Sequence, residues 1–198
     1  YTGNQPFTTY PRIPGHEFSA EIVSIPENDR GLKPRDIVTA NPYFNCGTCY
    51  SCQRGFVNCC TDNQNMGVQR DGAFCEYISM PVERIYKGKG LSAKELALIE
   101  PFSISQHAVS RAEIKDTDNV LVIGAGPIGL ILGQLAKNTG INKVCYVEID
   151  QNKINFLRQN GFYRRYRSSP LCRCKPSPKN RASLRRKQSF WTIPYRKV

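Results

Sequence analysis

The segment from Cys46 to Cys60 constrains this chain most, because it holds five cysteines in 15 residues. Cys46, Cys49 and Cys52 recur at every third position, and Cys60 follows eight positions after Cys52. A short loop with this spacing can fold back and present four thiolates to one tetrahedral Zn²⁺. A catalytic zinc normally keeps one position open, so four thiolates predict a closed, structural site.

A disulfide knot and a set of scattered core cysteines are the two alternatives for this loop. No secretory signal peptide is recognisable in the sequence, and thiols stay reduced in the cytosol. We therefore expect free thiols, a bound zinc and a cytoplasmic location.

A glycine-rich turn from Gly124 to Gly129 provides the second constraint. The apolar run 120–123 before it is typical of a buried parallel strand, and a helical pattern follows it. This context predicts a dinucleotide-binding turn. Gly124 would permit the tight turn, Gly126 would let the backbone approach the pyrophosphate, and Gly129 would pack the helix against the strand. Pro127 and Ile128 would lie at the helix N-terminus, which favours phosphate groups.

A second strand is predicted over 143–147, and it ends at Glu148, which lies 19 positions after Gly129. A carboxylate at this place can accept hydrogen bonds from the hydroxyls of the adenosine ribose. It would also repel the additional phosphate of NADP, so the sequence favours NAD. The alternative is a glycine-rich turn in another kind of α/β protein.

The charge of the chain is unevenly distributed. The formal net charge is +12, but residues 163–198 hold 12 of the 28 basic residues and none of the 16 acidic ones. Residues 1–162 are therefore neutral overall, which argues against specific nucleic-acid binding by the body of the chain. We expect the basic tail to be disordered and to bind nucleic acid only non-specifically. No apolar run approaches the length that spans a bilayer, so no membrane contact is expected.

Two further short motifs could supply metal ligands or catalytic groups. One is the pair His16-Glu17, and the other is Glu100, which precedes Pro101. Each is weak evidence alone, since a His-Glu pair is often an ordinary turn and Glu100 could be a carboxylate at a helix end.

Together, these stretches resemble the zinc-dependent medium-chain alcohol dehydrogenases, in the order in which that family has them. The resemblance covers about residues 10–162. It is closest to the polyol, threonine and sugar-acid dehydrogenases, because Glu100-Pro101-Phe102 resembles their Glu-Pro segment. The fold implied is α/β plus β: a partial GroES-like β catalytic domain and then the first βαβα part of a Rossmann domain. The implied domains are 1–110 and 111–162, followed by the tail 163–198.

The resemblance also implies roles for particular residues. Cys46, Cys49, Cys52 and Cys60 match the structural zinc lobe of the family, and Cys59 fills a position that is not a ligand. His16 matches a ligand of the catalytic zinc, Glu17 the acid beside it, and Glu100 a carboxylate at or near that zinc. The implied reaction is hydride transfer from a secondary alcohol to NAD. Its substrate would be a small alcohol, polyol or sugar acid, and the complete family member is expected to be a homo-oligomer.

The chain departs from the family in two places. The cysteine ligand upstream of His16-Glu17 is missing, because residues 1–15 contain no cysteine, and the nearby hydroxyl residue that relays protons is missing too. After Phe162 the basic tail resembles no part of the family, which suggests a truncated, out-of-frame product; a genuine appended tail is the alternative. We therefore expect impaired activity. The rival functions are a non-catalytic zinc-binding remnant and nucleic-acid binding through the tail.

Overall fold

The computed structural model describes residues 6–141 and 143–162. These residues form seven β-strands and five α-helices, and short strands dominate the first half. The predicted basic tail, 163–198, lies outside the described residues. Among the described residues, no helix is both long enough and apolar enough to cross a bilayer.

The first half is built on two small antiparallel sheets. In one, β2 (Ile37–Ala40) pairs with β1 (Ala20–Glu21) on one side and with β5 (Ile85–Lys87) on the other. In the other, β3 (Tyr43–Phe44) pairs with β4 (Gln64–Asn65), so that Tyr43 lies opposite Asn65. The short helix α1 (Tyr50–Gln53) lies in the cysteine loop between β3 and β4.

Two helices connect this β region to the glycine turn. The spacing of Ser92 and Glu95 predicts a capping box, and the structure confirms it: Ser92 caps α2 (Ala93–Ala97) and exchanges hydrogen bonds with Glu95. The next helix, α3 (Ile99–Arg111), begins one residue before Glu100. Pro101 is tolerated there because the first turn of a helix has free N–H positions.

The second half is one βαβα unit. The parallel strands β6 (Asn119–Ile123) and β7 (Lys143–Val147) pair in register, with Asn119 opposite Lys143. The helices α4 (Pro127–Asn138) and α5 (Gln151–Gln159) follow the two strands. Apolar residues of β6, β7 and α5 form the core of this unit, which includes Val122, Tyr146 and Leu157.

One expectation about local structure is wrong. The sequence around Asp71-Gly72 suggests a hairpin over 67–78, but residues 71–78 form no strand. The backbone N–H groups of Gly72, Ala73 and Phe74 instead donate to the carbonyls of Ile13, Gly15 and Pro14. The hydrogen bonds of this segment are therefore made to a distant loop.

Candidate metal and nucleotide sites

The cysteine loop brings its four predicted ligands together. The sulfurs of Cys46, Cys49, Cys52 and Cys60 all lie within 4.8 Å of one another. The Sγ atoms of Cys46 and Cys60 are 3.6 Å apart, whereas a disulfide bond is about 2.05 Å long. Four sulfurs at about 2.3 Å from a tetrahedral zinc would be about 3.8 Å apart. The four thiols are free, and their arrangement fits zinc better than a disulfide.

Local backbone geometry places these sulfurs. Gly47 reverses the chain after Cys46 with φ +77°, a conformation that favours glycine. Cys49 is the N-cap of α1 and Cys52 lies within α1, so the two sulfurs are one helical turn apart. A 3₁₀ turn over Val57–Cys59 then leads to Cys60. Cys59 is exposed and is not a member of the cluster.

Backbone hydrogen bonds favour the thiolate form of part of this cluster. The backbone N–H groups of Cys49 and Cys46 donate to the sulfurs of Cys46 and Cys60, each at 3.3 Å. Backbone N–H groups, that of Cys52 first, lower the pKa of the Cys49 thiol to about 5. Burial raises the pKa of Cys52 to about 11, and a cation bound beside the sulfur would favour its thiolate form.

The second predicted metal group also assembles. One ligand atom from each of His16, Glu17 and Glu100 lies within 4.8 Å of the others. Glu100 is only 7% exposed, and none of the salt bridges found among the described residues involves it. Burying a carboxylate beside a second carboxylate is costly without a cation. An imidazole with two carboxylates suits Zn²⁺ and leaves a coordination position open, so these residues fit a catalytic metal.

The loop that carries His16 is held by a close approach of backbones. The hydrogen bond from Gly72 N to Ile13 O is 2.7 Å long, and that from Ala73 N to Gly15 O is 2.9 Å. A Cβ atom built on Gly72 would lie 2.6 Å from the carbonyl carbon of Pro14, so only glycine fits there. His16 and Glu17 line a cleft of about 310 Å³, which a small ligand could enter.

The three glycines of the turn differ in backbone conformation and in the space around them. Gly124 has φ +99°, and a Cβ atom on Gly129 would lie 3.1 Å from the carbonyl carbon of Gly124. Gly126 differs from both, because it has an ordinary extended backbone and no atom lies within 4 Å of a Cβ built there. The fold alone therefore leaves open space above Gly126. The first turn of α4 has no side-chain cap; Pro127 has no N–H, so the N–H groups of Ile128 and Gly129 are the ones available to an anion.

Glu148 lies beside this turn. Its Oε2 atom accepts a hydrogen bond from the N–H of Ala125 at 2.8 Å, and its Oε1 atom accepts from Ile149 and Asp150. These backbone N–H groups, that of Asp150 first, hold the pKa of Glu148 at about 2. The side chain is 8% exposed and carries a negative charge at neutral pH. The nucleotide-binding roles of these residues remain predictions.

The metal group and the glycine turn are joined through one helix. Glu100 lies in the first turn of α3, and the hydroxyl of Ser105 on the same helix donates to the carbonyl oxygen of Ile128 at 3.2 Å. Ser105 is fully buried between α3 and α4. This contact between α3 and α4 links the candidate metal group to the start of the helix that follows the glycine turn.

Sequence reasoning missed Tyr43, whose hydroxyl donates a hydrogen bond to Oε1 of Glu100. Burial, together with the neighbouring charge of Glu100, raises the pKa of Tyr43 well above its ordinary value. The phenol therefore stays protonated and remains a donor. No pattern in the sequence indicates this contact, because the two residues are 57 positions apart.

Comparisons with known proteins agree with this geometry. Residues 1–90 match the model of the alcohol dehydrogenase GroES-like domain. The L-galactonate-5-dehydrogenase of Escherichia coli K12 is 47% identical over 142 residues, which are 72% of this chain and 42% of that protein. Over most of its described length, this chain is similar to the zinc-type medium-chain alcohol dehydrogenases. The resemblance and the fold class expected from the sequence are thereby confirmed.

Solved structures of this family superpose on the chain. The galactitol-1-phosphate dehydrogenase of E. coli has a TM-score of 0.69 at 33% identity, over 77% of this chain and 44% of that one. An alcohol dehydrogenase of E. coli CFT073, complexed with NADH, has a TM-score of 0.70 at 32% identity. The match covers 77% of this chain and 46% of that one. The chain thus spans less than half the length of the relatives that it matches.

Proposed function

We propose that this chain carries the zinc-binding and nucleotide-binding parts of an NAD-linked alcohol, polyol or sugar-acid dehydrogenase. The observation that carries the proposal is Glu100, a buried carboxylate without an ion pair among the described residues, beside His16 and Glu17. A bound zinc there would act as a Lewis acid on the substrate oxygen. The site belongs to the same compact unit, residues 1–162, as the glycine turn.

Each group of residues has a separate task in this proposal. His16, Glu17 and Glu100 hold the catalytic metal, and the cysteine cluster holds a structural zinc. The turn from Gly124 to Gly129 binds the pyrophosphate. Glu148 holds the adenosine ribose and repels the additional phosphate of NADP, which gives a preference for NAD.

The substrate class rests on the relatives. Their names include a dehydrogenase of a sugar acid and one of a polyol phosphate. We propose a small, polar secondary alcohol and a reducing, cytoplasmic environment that keeps the cysteines free.

The 198-residue chain is expected to have little or no activity by itself. Residues 1–15 supply no thiolate to the metal, and a small misplacement of hydride donor and acceptor can cost about a hundredfold in rate. NADH formation would be followed with galactonate, sorbitol, threonine and simple secondary alcohols, with zinc added. Zinc-dependent turnover of about 1 per second or more, lost in His16→Ala, would contradict this expectation.

A chimera tests the proposed function itself. The aligned 142 residues of this chain would replace their counterparts in E. coli L-galactonate-5-dehydrogenase. We expect NAD-linked turnover in the chimera and its loss in the chimera with His16→Ala. A folded, zinc-loaded chimera without turnover would favour the second candidate, a non-catalytic zinc-binding protein.

A further inference from the structure

The carboxylate of Glu100 depends on one neighbouring side chain. It is 7% exposed, and the hydroxyl of Tyr43 donates to its Oε1 atom. None of the salt bridges among residues 6–141 and 143–162 involves Glu100. The direction in which the carboxylate points is therefore set by the Tyr43 hydroxyl together with the start of α3.

Tyr43 is itself fixed at its backbone. Its N–H donates to Oδ1 of Asn41 at 2.9 Å, and the guanidinium of Arg84 donates to its carbonyl oxygen. The ring of the next residue, Phe44, contacts two guanidinium groups. Its centroid is 3.7 Å from Cζ of Arg70 and 4.5 Å from Cζ of Arg84. Because β3 is clamped in this way, the tyrosine ring has little freedom to move its hydroxyl away from Glu100.

A hydrogen bond to one oxygen constrains the other. With Oε1 bonded to Tyr43, rotation of the carboxylate would break a buried hydrogen bond, and the cost of leaving such a group unpaired is high. Partners that orient a metal ligand in this way typically contribute about 10- to 100-fold to metal affinity.

We propose that Tyr43 is a positioning residue for the metal site, and that it acts by orienting Glu100 toward the metal held with His16 and Glu17. This inference rests on the proposed function, since it takes Glu100 as a ligand. Tyr43 contacts neither substrate nor cofactor in this proposal.

The test is a zinc titration of the full 198-residue chain whose cysteine cluster already holds one zinc. Calorimetry measures the affinity for the second Zn²⁺ in the unmodified chain, in Tyr43→Phe and in His16→Ala. Tyr77→Phe is the matched control, because Tyr77 is 72% exposed and lies outside the metal group. We expect Tyr43→Phe to weaken the second zinc about 10- to 100-fold and to retain the first, while Tyr77→Phe changes neither.

A double-mutant cycle separates positioning from a general structural role. If Tyr43 acts through Glu100, Tyr43→Phe should have no further effect on second-zinc affinity in a Glu100→Gln background. An equal effect in both backgrounds would overturn the inference, as would loss of the cysteine-bound zinc in Tyr43→Phe.

The remaining outcomes distinguish the two proposals. Unchanged affinity in Tyr43→Phe, with the second zinc lost in His16→Ala, would overturn the role of Tyr43 and leave the proposed function standing. An unmodified chain that binds no second zinc, or binds one that His16→Ala does not affect, would overturn both.

Discussion

Gly126 and Gly129 belong to one motif, yet the structure predicts opposite consequences when each is replaced by alanine. No atom lies within 4 Å of a Cβ built on Gly126, and the backbone there is extended. Gly126→Ala should therefore change the free energy of unfolding by no more than about 0.5 kcal/mol. If the pyrophosphate occupies the open space, the same methyl group should obstruct it.

The magnitude for NADH binding follows from the cost of overpacking, about 1–3 kcal/mol for an added methyl group in a filled site. That cost corresponds to a Kd raised about 5- to 160-fold in Gly126→Ala. Fluorescence titration with NADH would measure the change.

Gly129→Ala should act on the fold instead. Its Cβ atom would clash with the carbonyl oxygen of Gly124, and it would lie 3.1 Å from the carbon of that carbonyl and 3.3 Å from a methyl group of Val122. Overpacking of about 1–3 kcal/mol is offset by up to about 1 kcal/mol from the better helix propensity of alanine. The clash is with backbone, so the overpacking cost should lie in the upper part of that range, and a net loss of about 1–3 kcal/mol should lower Tm by about 2–12 °C.

Thermal melts of the two variants, compared with the NADH titrations, separate an effect on the fold from an effect on NADH binding. Equal losses of Tm in both variants would show that Gly126 is needed by the fold and not by a ligand. Unchanged NADH affinity in Gly126→Ala would refute the placement of the pyrophosphate.

Three further predictions concern the other residues of the sites. Cys60→Ser should lose one zinc per chain by elemental analysis, whereas Cys59→Ser, at the neighbouring exposed position, should keep it; equal zinc contents would contradict the cluster. The pKa of Glu148 is lowered to about 2 from an ordinary 4.5, so its stabilising contribution is present above pH 4.5 and lost as the pH falls toward 2. Glu148→Gln should flatten acid unfolding in that window, and an unchanged acid-unfolding curve would count against the hydrogen bonds seen here. Gly72→Ala should displace the backbone at Gly15 and lower stability by about 1–3 kcal/mol, measured by urea unfolding, and a variant as stable as the unmodified chain would contradict the close backbone approach.

The sequence predicts the second half of the fold well because the signals there are local. The predicted strand 143–147 agrees with β7, and the helical pattern after the glycine turn, which the sequence stops at Asn138-Thr139-Gly140, agrees with α4, which ends at Asn138. The spacing of apolar residues and the glycines at turns are signals within a few residues, so they can be interpreted without knowledge of distant contacts. The cysteine cluster is predictable for the same reason, since all four ligands lie within one loop.

The surroundings of the candidate metal group of His16, Glu17 and Glu100 could not be predicted in this way. Arg12 meets Asp71 across 59 positions, and Tyr43 meets Glu100 across 57. Such contacts depend on how segments that are distant in the sequence pack together. No local pattern around any of these four residues indicates its partner. The hairpin expected over 67–78 is wrong for a related reason, because the backbone N–H groups of residues 72–74 bond the loop 13–15 and not a partner strand of their own hairpin.

We propose that this chain holds two metal sites, one structural and one catalytic. Diffraction from zinc-loaded crystals, recorded at the zinc absorption edge, locates both metals in one experiment. We expect one anomalous peak with four sulfurs of Cys46, Cys49, Cys52 and Cys60 at about 2.3 Å, and a second with His16 and carboxylate oxygens at about 2.0–2.2 Å. A single peak at the cysteines, with His16 and Glu100 free of metal, would contradict it.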